Sequence, residues 1–227
     1  MIHGGFWRAR YDLTHIGHLC AALTRAGLAT WSLEYRRIGH PGGGWPGTFH
    51  DVAAGLDYVA TLAPQYHLDR SRVVTLGHSA GGHLAVWLAA RPRIPLTDPL
   101  ASRDPLPLRG AVSLAGVLDL HRAWERHLSN DVVVEFLGGT PAQLPERYAT
   151  ASPQALLPIG VPQHLLHGTE DDSVPFAISE SYATAATAAG DDVRLVRLPA
   201  AGHFELIDPQ SWEWPAVEAA VLSLLSI

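Results

Sequence analysis

The sequence is poor in cysteine and has no long hydrophobic run. Cys20 is the one cysteine among 227 residues, so an internal disulfide cannot form and a reducing cytoplasm is the expected compartment. No stretch reaches the roughly 20 apolar residues that a membrane-spanning helix needs, and the N-terminus lacks a signal-peptide pattern. These absences predict a cytoplasmic protein that does not bind membranes.

Charge is also sparse, and none of it is concentrated. Asp, Glu, Lys and Arg make up 17% of the chain, and the formal net charge is -6. The 16 Lys and Arg residues are scattered singly, so the basic stripe that nucleic-acid binding requires is missing. The 13 histidines show no H-E-x-x-H or similar ligand spacing, so we expect no metal and no cofactor. A small molecule is the expected partner.

Hydrophobic residues, in contrast, make up 47% of the chain, with no compositional break, which predicts one domain over residues 1–227. Short apolar runs typical of buried strands alternate with longer runs of helical spacing. The predicted strands are 28–33, 72–76, 110–115, 162–167 and 193–198, and the predicted helices are 13–23, 48–64, 80–90, 176–189 and 212–225. Such alternation is typical of an α/β fold in which helices flank a mostly parallel sheet.

Two segments interrupt this alternation. Five prolines between residues 92 and 107 exclude regular structure there and predict a surface loop. Residues 117–158 lie between two predicted strands and show short helical patterns at 119–128 and 131–137. Because such an excursion leaves the sheet beside the strand ends, we expect a small lid over a pocket there.

A serine follows the second predicted strand in a turn flanked by glycines, Gly77-His78-Ser79-Ala80-Gly81. The pattern G-x-S-x-G between a strand and a helix is typical of a nucleophile elbow, which exposes the serine hydroxyl at the edge of the sheet. The competing interpretation is a glycine-rich helix start that binds phosphate, but the dinucleotide and P-loop spacings are absent. We therefore expect Ser79 to be a nucleophile.

A serine hydroxyl needs a base to become a good nucleophile, and His203 is the expected base. It lies in the loop Ala201-Gly202-His203-Phe204 after the last predicted strand. In a parallel sheet this loop leaves the same edge as Ser79, so the two side chains can converge.

The remaining histidines fit other roles. His78 and His83 flank the serine in sequence and should point away from it. His3 and His167 should brace their own loops by hydrogen bonding. Most of the others are expected to be solvated, because they lie on predicted helices or at their ends: His15, His18, His50 and His67.

The base in turn needs an acid to orient it. The loop after the strand at 162–167 carries three adjacent carboxylates, Glu170, Asp171 and Asp172, and Asp119 follows an earlier predicted strand. Periodicity cannot rank these four candidates, so the pattern alone leaves the acid open.

A further loop, His3-Gly4-Gly5-Phe6-Trp7, can supply an oxyanion hole. Negative charge develops on the substrate oxygen in acyl transfer, and backbone N–H groups aimed at that oxygen lower the barrier. The two glycines let the backbone approach the oxygen closely, and the N–H of Ala80 is the complementary donor after the nucleophile.

Together these motifs resemble those of the α/β-hydrolase superfamily, and within it the small esterase branch that includes arylformamidases (kynurenine formamidases) and feruloyl-esterase-like enzymes. The resemblance covers nearly the whole chain. The matching residues are His3-Gly4-Gly5-Phe6-Trp7, Glu34-Tyr35-Arg36, Gly77-His78-Ser79-Ala80-Gly81-Gly82-His83, His167-Gly168-Thr169-Glu170-Asp171, Val174-Pro175 and Gly202-His203. Prolyl-oligopeptidase-type peptidases share the serine and acid-loop motifs, so the resemblance does not fix the substrate.

The resemblance implies that Asp171 is the acid, and that the backbone N–H of Gly5 or Phe6 joins that of Ala80 in the oxyanion hole. It also implies strands ahead of the His-Gly-Gly loop, where this sequence has Met1 and Ile2. The expected fold is therefore an N-terminally shortened α/β hydrolase whose oxyanion loop hangs from the stub of a central strand.

We therefore expect a serine hydrolase that cleaves a small carboxylic ester or an activated amide through an acyl-enzyme intermediate. Four aromatic residues near the strand ends are candidates for the substrate pocket, although ordinary packing explains each of them equally well: Trp7, Tyr35, Trp45 and Phe204. Two alternatives stay open. One is a serine peptidase of prolyl-oligopeptidase type, and the other is a catalytically silent binding protein with a hydrolase fold, which the missing leading strands would favour.

Overall fold

The structure, a computed structural model, describes residues 1–225. In this part of the chain four strands form a parallel sheet in the order β1-β2-β3-β4. Their bounds are Val74–His78 (β1), Gly110–Leu114 (β2), Gln163–Gly168 (β3) and Val193–Leu198 (β4). Four of the predicted strands are thus confirmed. Because all four run in the same direction, the loops that follow them emerge at one edge of the sheet.

The prediction of a strand at 28–33 is wrong, because these residues form no continuous strand. Its last residue, Leu33, forms an isolated parallel bridge with Ile2, and Ile2 forms a second parallel bridge with Gly77 of β1. The Leu33 N–H donates to Met1 O, and the Ile2 N–H donates to Leu76 O. Ile2 therefore occupies a central-strand position beside β1, but pairing at this one residue cannot sustain a ladder along the whole of 28–33.

Helices cover both faces of the sheet. Their bounds are Gly17–Arg25 (α1), Gly47–Asp57 (α2), Val59–Tyr66 (α3), Ala80–Ala90 (α4), Leu120–Glu125 (α5), Val132–Leu137 (α6), Pro145–Ala151 (α7), Phe176–Ala188 (α8) and Trp214–Leu225 (α9), with 3-10 turns at Leu13–Ile16, Arg91–Arg93, Pro153–Leu156 and Glu205–Ile207. The predicted helices are confirmed, with two differences: the one predicted over 48–64 is two helices separated by Tyr58, and the one predicted over 13–23 is a 3-10 turn followed by α1. No helix among residues 1–225 is long and apolar enough to cross a membrane.

The core consists of two clusters, one on each face of the sheet. Successive side chains along a strand point to opposite faces and so belong to different clusters. Ala111 of β2 faces the cluster built around α4, whereas its neighbour Val112 faces the cluster that α1 and α9 cover. All 11 residues of α4 are buried, so this helix is the centre of the larger cluster. A helix that is apolar all round is typical of the interior of an α/β sheet protein, and it gives the residue in front of it, Ser79, a rigid support.

Residues 117–158, where a lid was expected, contain α5, α6 and α7 between β2 and β3. The sequence pattern did not predict α7. Phe136 of α6 reaches into the core, where its ring stacks on Trp7 at a centroid distance of 4.5 Å and packs against Phe49. The segment is therefore anchored in the core as well as placed beside the strand ends.

Candidate active site

Ser79 lies at the turn between β1 and α4, with φ 57° and ψ -122°. A positive φ is rare for a residue with a side chain, and it is maintained here by the packing of strand and helix against each other. A Cβ on Gly77 would lie 2.0 Å from Gly81 O, and a Cβ on Gly81 would lie 2.1 Å from Ile2 O. Only glycine fits at these two positions, so the turn can close tightly enough to hold the serine at its apex.

His203 and Asp171 meet across the loops that follow β4 and β3. His203 Nδ1 lies 2.6 Å from Asp171 Oδ2, and the carboxylate has no exposed surface. Asp171 Oδ1 accepts hydrogen bonds from the N–H groups of Ser173 at 2.9 Å and Val174 at 2.8 Å. Of the four carboxylates that the sequence left open, the structure brings Asp171 to His203.

The charge of Asp171 is stabilised within this loop. Burial alone would raise the pKa of its carboxyl group, but hydrogen bonds from His167 and His203, and from the Val174 N–H, outweigh burial and hold the pKa well below its ordinary value. The carboxylate is therefore ionised throughout the physiological range. An ionised acceptor fixes the proton of His203 on Nδ1 and leaves Nε2 with its lone pair free.

The Ser79 hydroxyl makes no hydrogen bond to any residue between 1 and 225, and Ser79 is 2% exposed. The contact between Ser79 Oγ and His203 Nε2 that proton transfer would need is thus not formed in this structure. The ring of His78, which precedes Ser79 in sequence, lies 4.5 Å from the ring of His203, so the serine turn and the His203 loop are in contact. Proton-transfer contacts are often long in unliganded enzymes and tighten when substrate binds.

The His3-Gly4-Gly5 loop lies directly against the serine turn. A Cβ on Gly4 would be 3.1 Å from Ser79 Cβ and 2.9 Å from His78 O. Gly5, Phe6 and Trp7 follow with φ values of 111°, 50° and 54°. Within the described chain, the N–H groups of Gly5 and Phe6 donate to no acceptor, and that of Ala80, first in α4, has no intrahelical acceptor. Three free donors therefore lie around the serine.

A buried polar network, which the sequence did not reveal, braces this loop. His3 Nδ1 lies 2.8 Å from Gly4 O, and its Nε2 lies 3.0 Å from Glu34 Oε1. Arg37 forms an ion pair with the same carboxylate, and Tyr35 donates from its hydroxyl to His3 O at 2.8 Å. The one available signal was the Glu34-Tyr35-Arg36 motif, which gives no indication of how the side chains pair.

Comparison with known proteins places this geometry in a family. The BD-FAE family model matches residues 1–185. The chain belongs to the BD-FAE family. This match covers the His-Gly-Gly loop, the serine turn and the loop of Asp171, and His203 lies beyond it.

Individual relatives of this BD-FAE chain are distant. It is 26% identical over 209 residues to the esterase LipQ of Mycobacterium tuberculosis (strain ATCC 25618 / H37Rv), which is 89% of this chain and 48% of LipQ. The chain thus spans about half the length of this curated relative. A truncated carbohydrate esterase from gut microbiota shares the fold with a TM-score of 0.79 and 21% identity, over 99% of this chain and 84% of that one. The propionate-bound esterase Est2 of Thermogutta terrifontis shares the fold with a TM-score of 0.77 and 24% sequence identity. This match covers 99% of this chain and 80% of Est2.

The four candidate pocket aromatics of the BD-FAE chain have different environments. Trp7 has no exposed surface, and Tyr35, at 3% exposure, stacks on His3. Trp45 is partly buried beneath Arg147, whose guanidinium lies 4.1 Å from the indole centroid. Phe204 is 57% exposed and contacts the ring of His203. Of the four, Phe204 is the one that presents substantial surface beside the His203–Asp171 pair.

The other histidines differ partly from expectation. As predicted, His83 points away from Ser79, with Nε2 2.8 Å from Ala151 O, and His167 braces the acid loop through Ser179 Oγ and Val174 O. His15, expected to be solvated, is half-buried, and its Nε2 lies 3.0 Å from His78 Nδ1. It lies in the 3-10 turn at Leu13–Ile16, which the sequence pattern merged with α1. The contact joins residues 63 positions apart, so no local pattern could predict it.

Two cavities on the described surface have volumes of about 360 and 290 Å³, and neither includes Ser79, Asp171 or His203. The second is lined in part by Glu34, Tyr35 and Arg37, next to the network that braces His3. Among residues 1–225, no three His, Cys, Asp or Glu side chains are grouped in a way that could hold a metal ion. The chemistry available at the serine turn is therefore that of a hydroxyl, an imidazole, a carboxylate and backbone N–H groups.

Proposed function

We propose that this protein is a serine hydrolase that cleaves a small carboxylic ester through an acyl-enzyme, with Ser79 as nucleophile, His203 as base and Asp171 as the orienting acid. Ser79 Oγ attacks the ester carbonyl carbon while His203 Nε2 takes its proton, and the alcohol then leaves with that proton. Water then attacks the acyl carbon and gives a proton to His203, which passes it to Ser79 Oγ as the bond between that oxygen and the acyl carbon breaks and the acid is released.

The observation that carries this proposal is the convergence of two sets of groups on one edge of the sheet. The His203–Asp171 pair has a 2.6 Å hydrogen bond in which Nδ1 is the donor, so the neutral ring offers Nε2 as the acceptor for the serine proton. The ring of His203 contacts that of His78, which precedes Ser79 in sequence. The Ser79 hydroxyl is held by no other acceptor among residues 1–225, which leaves it available to His203.

The free N–H groups of Gly5, Phe6 and Ala80 support the same reaction. In a tetrahedral intermediate the substrate oxygen carries a negative charge and needs donors that are already in place. Gly4 brings the first two donors against Ser79, and the helix that begins at Ala80 adds the positive end of its dipole. The loop is thus suited to accept an oxyanion.

An ester is favoured over an amide or a peptide because the named relatives are esterases. The buried position of Ser79, which is 2% exposed, favours a small acyl group. We assign Phe204 to the wall of the substrate site and the helices of residues 117–158 to a cover beside it. A peptidase would need an open cleft for an extended chain.

The experiment compares two buried serines. Ser79→Ala should abolish hydrolysis of p-nitrophenyl acetate and labelling by a fluorophosphonate probe, because the attacking oxygen is removed. Ser113 is equally buried, at 1% exposure, and its hydroxyl has no hydrogen-bond partner, so Ser113→Ala should retain both activities.

Labelling that persists in S79A would show that another residue is the nucleophile. A folded, monodisperse wild-type protein that reacts with neither reagent would favour a silent binding protein instead. Cleavage of proline-containing peptides without ester hydrolysis would favour the peptidase.

A further inference from the structure

His78 lies between the His203 loop and a second histidine that the proposed reaction does not use. Its Nε2 lies 2.8 Å from the backbone oxygen of His203, and its Nδ1 lies 3.0 Å from Nε2 of His15. The His15 ring stacks on His78 with centroids 5.2 Å apart. His78 is 1% exposed, so both of its ring nitrogens depend on these protein partners.

These partners determine which nitrogen of each ring carries the proton. A carbonyl oxygen can only accept, so His78 Nε2 must be the protonated nitrogen that donates to His203 O. In the neutral ring Nδ1 is then an acceptor, and the 3.0 Å contact requires His15 Nε2 to donate. The hydrogen bonds therefore run in one direction, from His15 through His78 to the His203 backbone.

The neutral state of His78 has a physical basis. Burial lowers its pKa well below the ordinary value, and the neighbouring rings of His203 and His15 lower it further. A neutral ring is also what the reaction needs at this place, because His203 becomes positively charged when it takes a proton. A second positive ring 4.5 Å away would repel it.

We propose that His78 and His15 are positioning residues for His203, acting through a hydrogen-bond chain of fixed direction that ends on the His203 carbonyl. The proposal rests on the function proposed above and deepens it. Asp171 holds the side chain of His203 at Nδ1, and His78 holds the backbone of the same residue. With both anchors in place, the imidazole can neither rotate nor move away from Ser79.

The position of His15 lets the hydrogen-bond chain reach the other side of the site. His15 belongs to the 3-10 turn that follows the oxyanion loop, and Asp12 caps this turn by accepting from the Thr14 N–H at 2.9 Å. The ring of Phe204 meets the His15 ring edge-on, with centroids 6.1 Å apart. The chain therefore connects the side of the site that carries the oxyanion donors to the side that carries the base.

The first test needs no substitution. In the wild-type protein, the imidazole ¹⁵N signals of His78 should show a neutral ring protonated at Nε2 and not at Nδ1. A ring protonated at Nδ1, or at both nitrogens at neutral pH, would overturn the proposal, because His78 could then not be held by His15 as described.

The second test uses a matched pair of variants. His15→Gln keeps an N–H donor for His78 Nδ1, whereas His15→Glu offers only acceptors and draws a proton onto His78 Nδ1. The ring then either loses its Nε2 proton, and with it the bond to His203 O, or becomes positively charged beside His203. We expect H15E to lower kcat by about 10-fold with KM unchanged, as misplacement of a base does, and H15Q to stay within about twofold of the wild type.

The two variants should also differ in the His78 ¹⁵N spectrum, with Nε2 protonated in H15Q and Nδ1 protonated in H15E. If H15E does not fold, His78→Gln and His78→Met provide the same comparison, because glutamine keeps a donor for the His203 carbonyl and methionine does not. Equal kcat values within either pair would overturn the proposal. Failure of the proposed function is distinguishable, since it abolishes the Ser79-dependent reaction in every variant and leaves the ring tautomers unchanged.

Discussion

The two sides of the serine turn are built in opposite ways. On one side, both oxygens of Asp171 are occupied by hydrogen bonds. On the other, Gly5 and Phe6 have positive φ angles and N–H groups without acceptors. The paired side holds one proton in one place before any substrate arrives. In the proposed reaction, the free N–H groups of the strained side would bind the oxyanion, which exists only while the reaction proceeds.

The largest expected effect is on the paired side. Asp171→Asn should lower kcat by about 10⁴-fold, because the amide allows His203 to carry its proton on the wrong nitrogen. Steady-state hydrolysis of p-nitrophenyl acetate measures this. The neighbouring Asp172→Asn is the matched control and should stay within about twofold, since Asp172 bonds only to the exposed Ser173 hydroxyl. Similar losses in both variants would contradict the assignment of Asp171.

The next largest effect is on the strained side. A Cβ on Gly5 would lie 2.5 Å from the Tyr11 ring, and φ is 111°. Gly5→Ala should therefore misplace the oxyanion donors and lower kcat by about 100-fold. Gly17→Ala, in a position with no atom within 4 Å and a helical φ, should leave kcat unchanged and raise stability by up to about 1 kcal/mol. Unaltered kcat in G5A would remove this loop from the proposed mechanism.

A smaller effect is expected from the hydrogen bonds that hold the His3-Gly4-Gly5 loop against its neighbouring segment. Arg8 donates to Ser129 Oγ and to Ser129 O, both at 2.9 Å, and thereby ties the loop to the segment before α6. Arg8→Gln should lower the free energy of unfolding by about 1 kcal/mol and kcat by a few-fold. Glu135→Gln is the control, because its 3.4 Å contact with Arg8 is exposed and weak. If R8Q melts earlier with kcat intact, Arg8 stabilises the fold without positioning the loop.

The smallest effect is on the stability of the fold in acid. His3 and Asp171, which lie on the two sides of the serine turn, should each contribute to this stability over a different pH range. Burial, and to a lesser extent the charge of Arg37, lowers the pKa of His3 below its ordinary value. The unfolded chain therefore binds this proton first, so the contribution of His3 is complete above about pH 6.5 and is lost as the pH falls below it. The pKa of Asp171 is lowered from an ordinary value near 4, so its contribution is lost only below that.

Urea titrations at pH 7, 6 and 5 measure how the free energy of unfolding falls over the pH range in which His3 contributes. His3→Gln should make the decline in unfolding free energy shallower, by at most about 1.4 kcal/mol for each pH unit, which is the slope of one proton. A residual slope is expected in H3Q, because burial also lowers the pKa values of His15 and His83 to about 4.

The sequence predicted the parts of the site that depend on short stretches of chain. A strand, a glycine-flanked serine and a helix are adjacent in sequence, so the turn at Ser79 follows from local sterics. The strands at 110–115 and 193–198 were also predicted correctly, because a buried parallel strand shows in the sequence as a short apolar run. The strand at 28–33 has the same composition, but its pairing at Leu33 depends on a distant neighbour, Ile2.

Residue type and spacing alone thus determined the alternation of strands and helices and the serine turn, and they limited the acid to four candidate carboxylates. Only the tertiary structure decided which of four carboxylates meets His203, that Glu34 and Arg37 brace His3, and that Trp7 and Tyr35 belong to the core. The reason is physical. Backbone propensity and burial act over a few residues, whereas a hydrogen bond between side chains 30 or more positions apart, such as His203 and Asp171, exists only after the sheet has brought its loops to one edge.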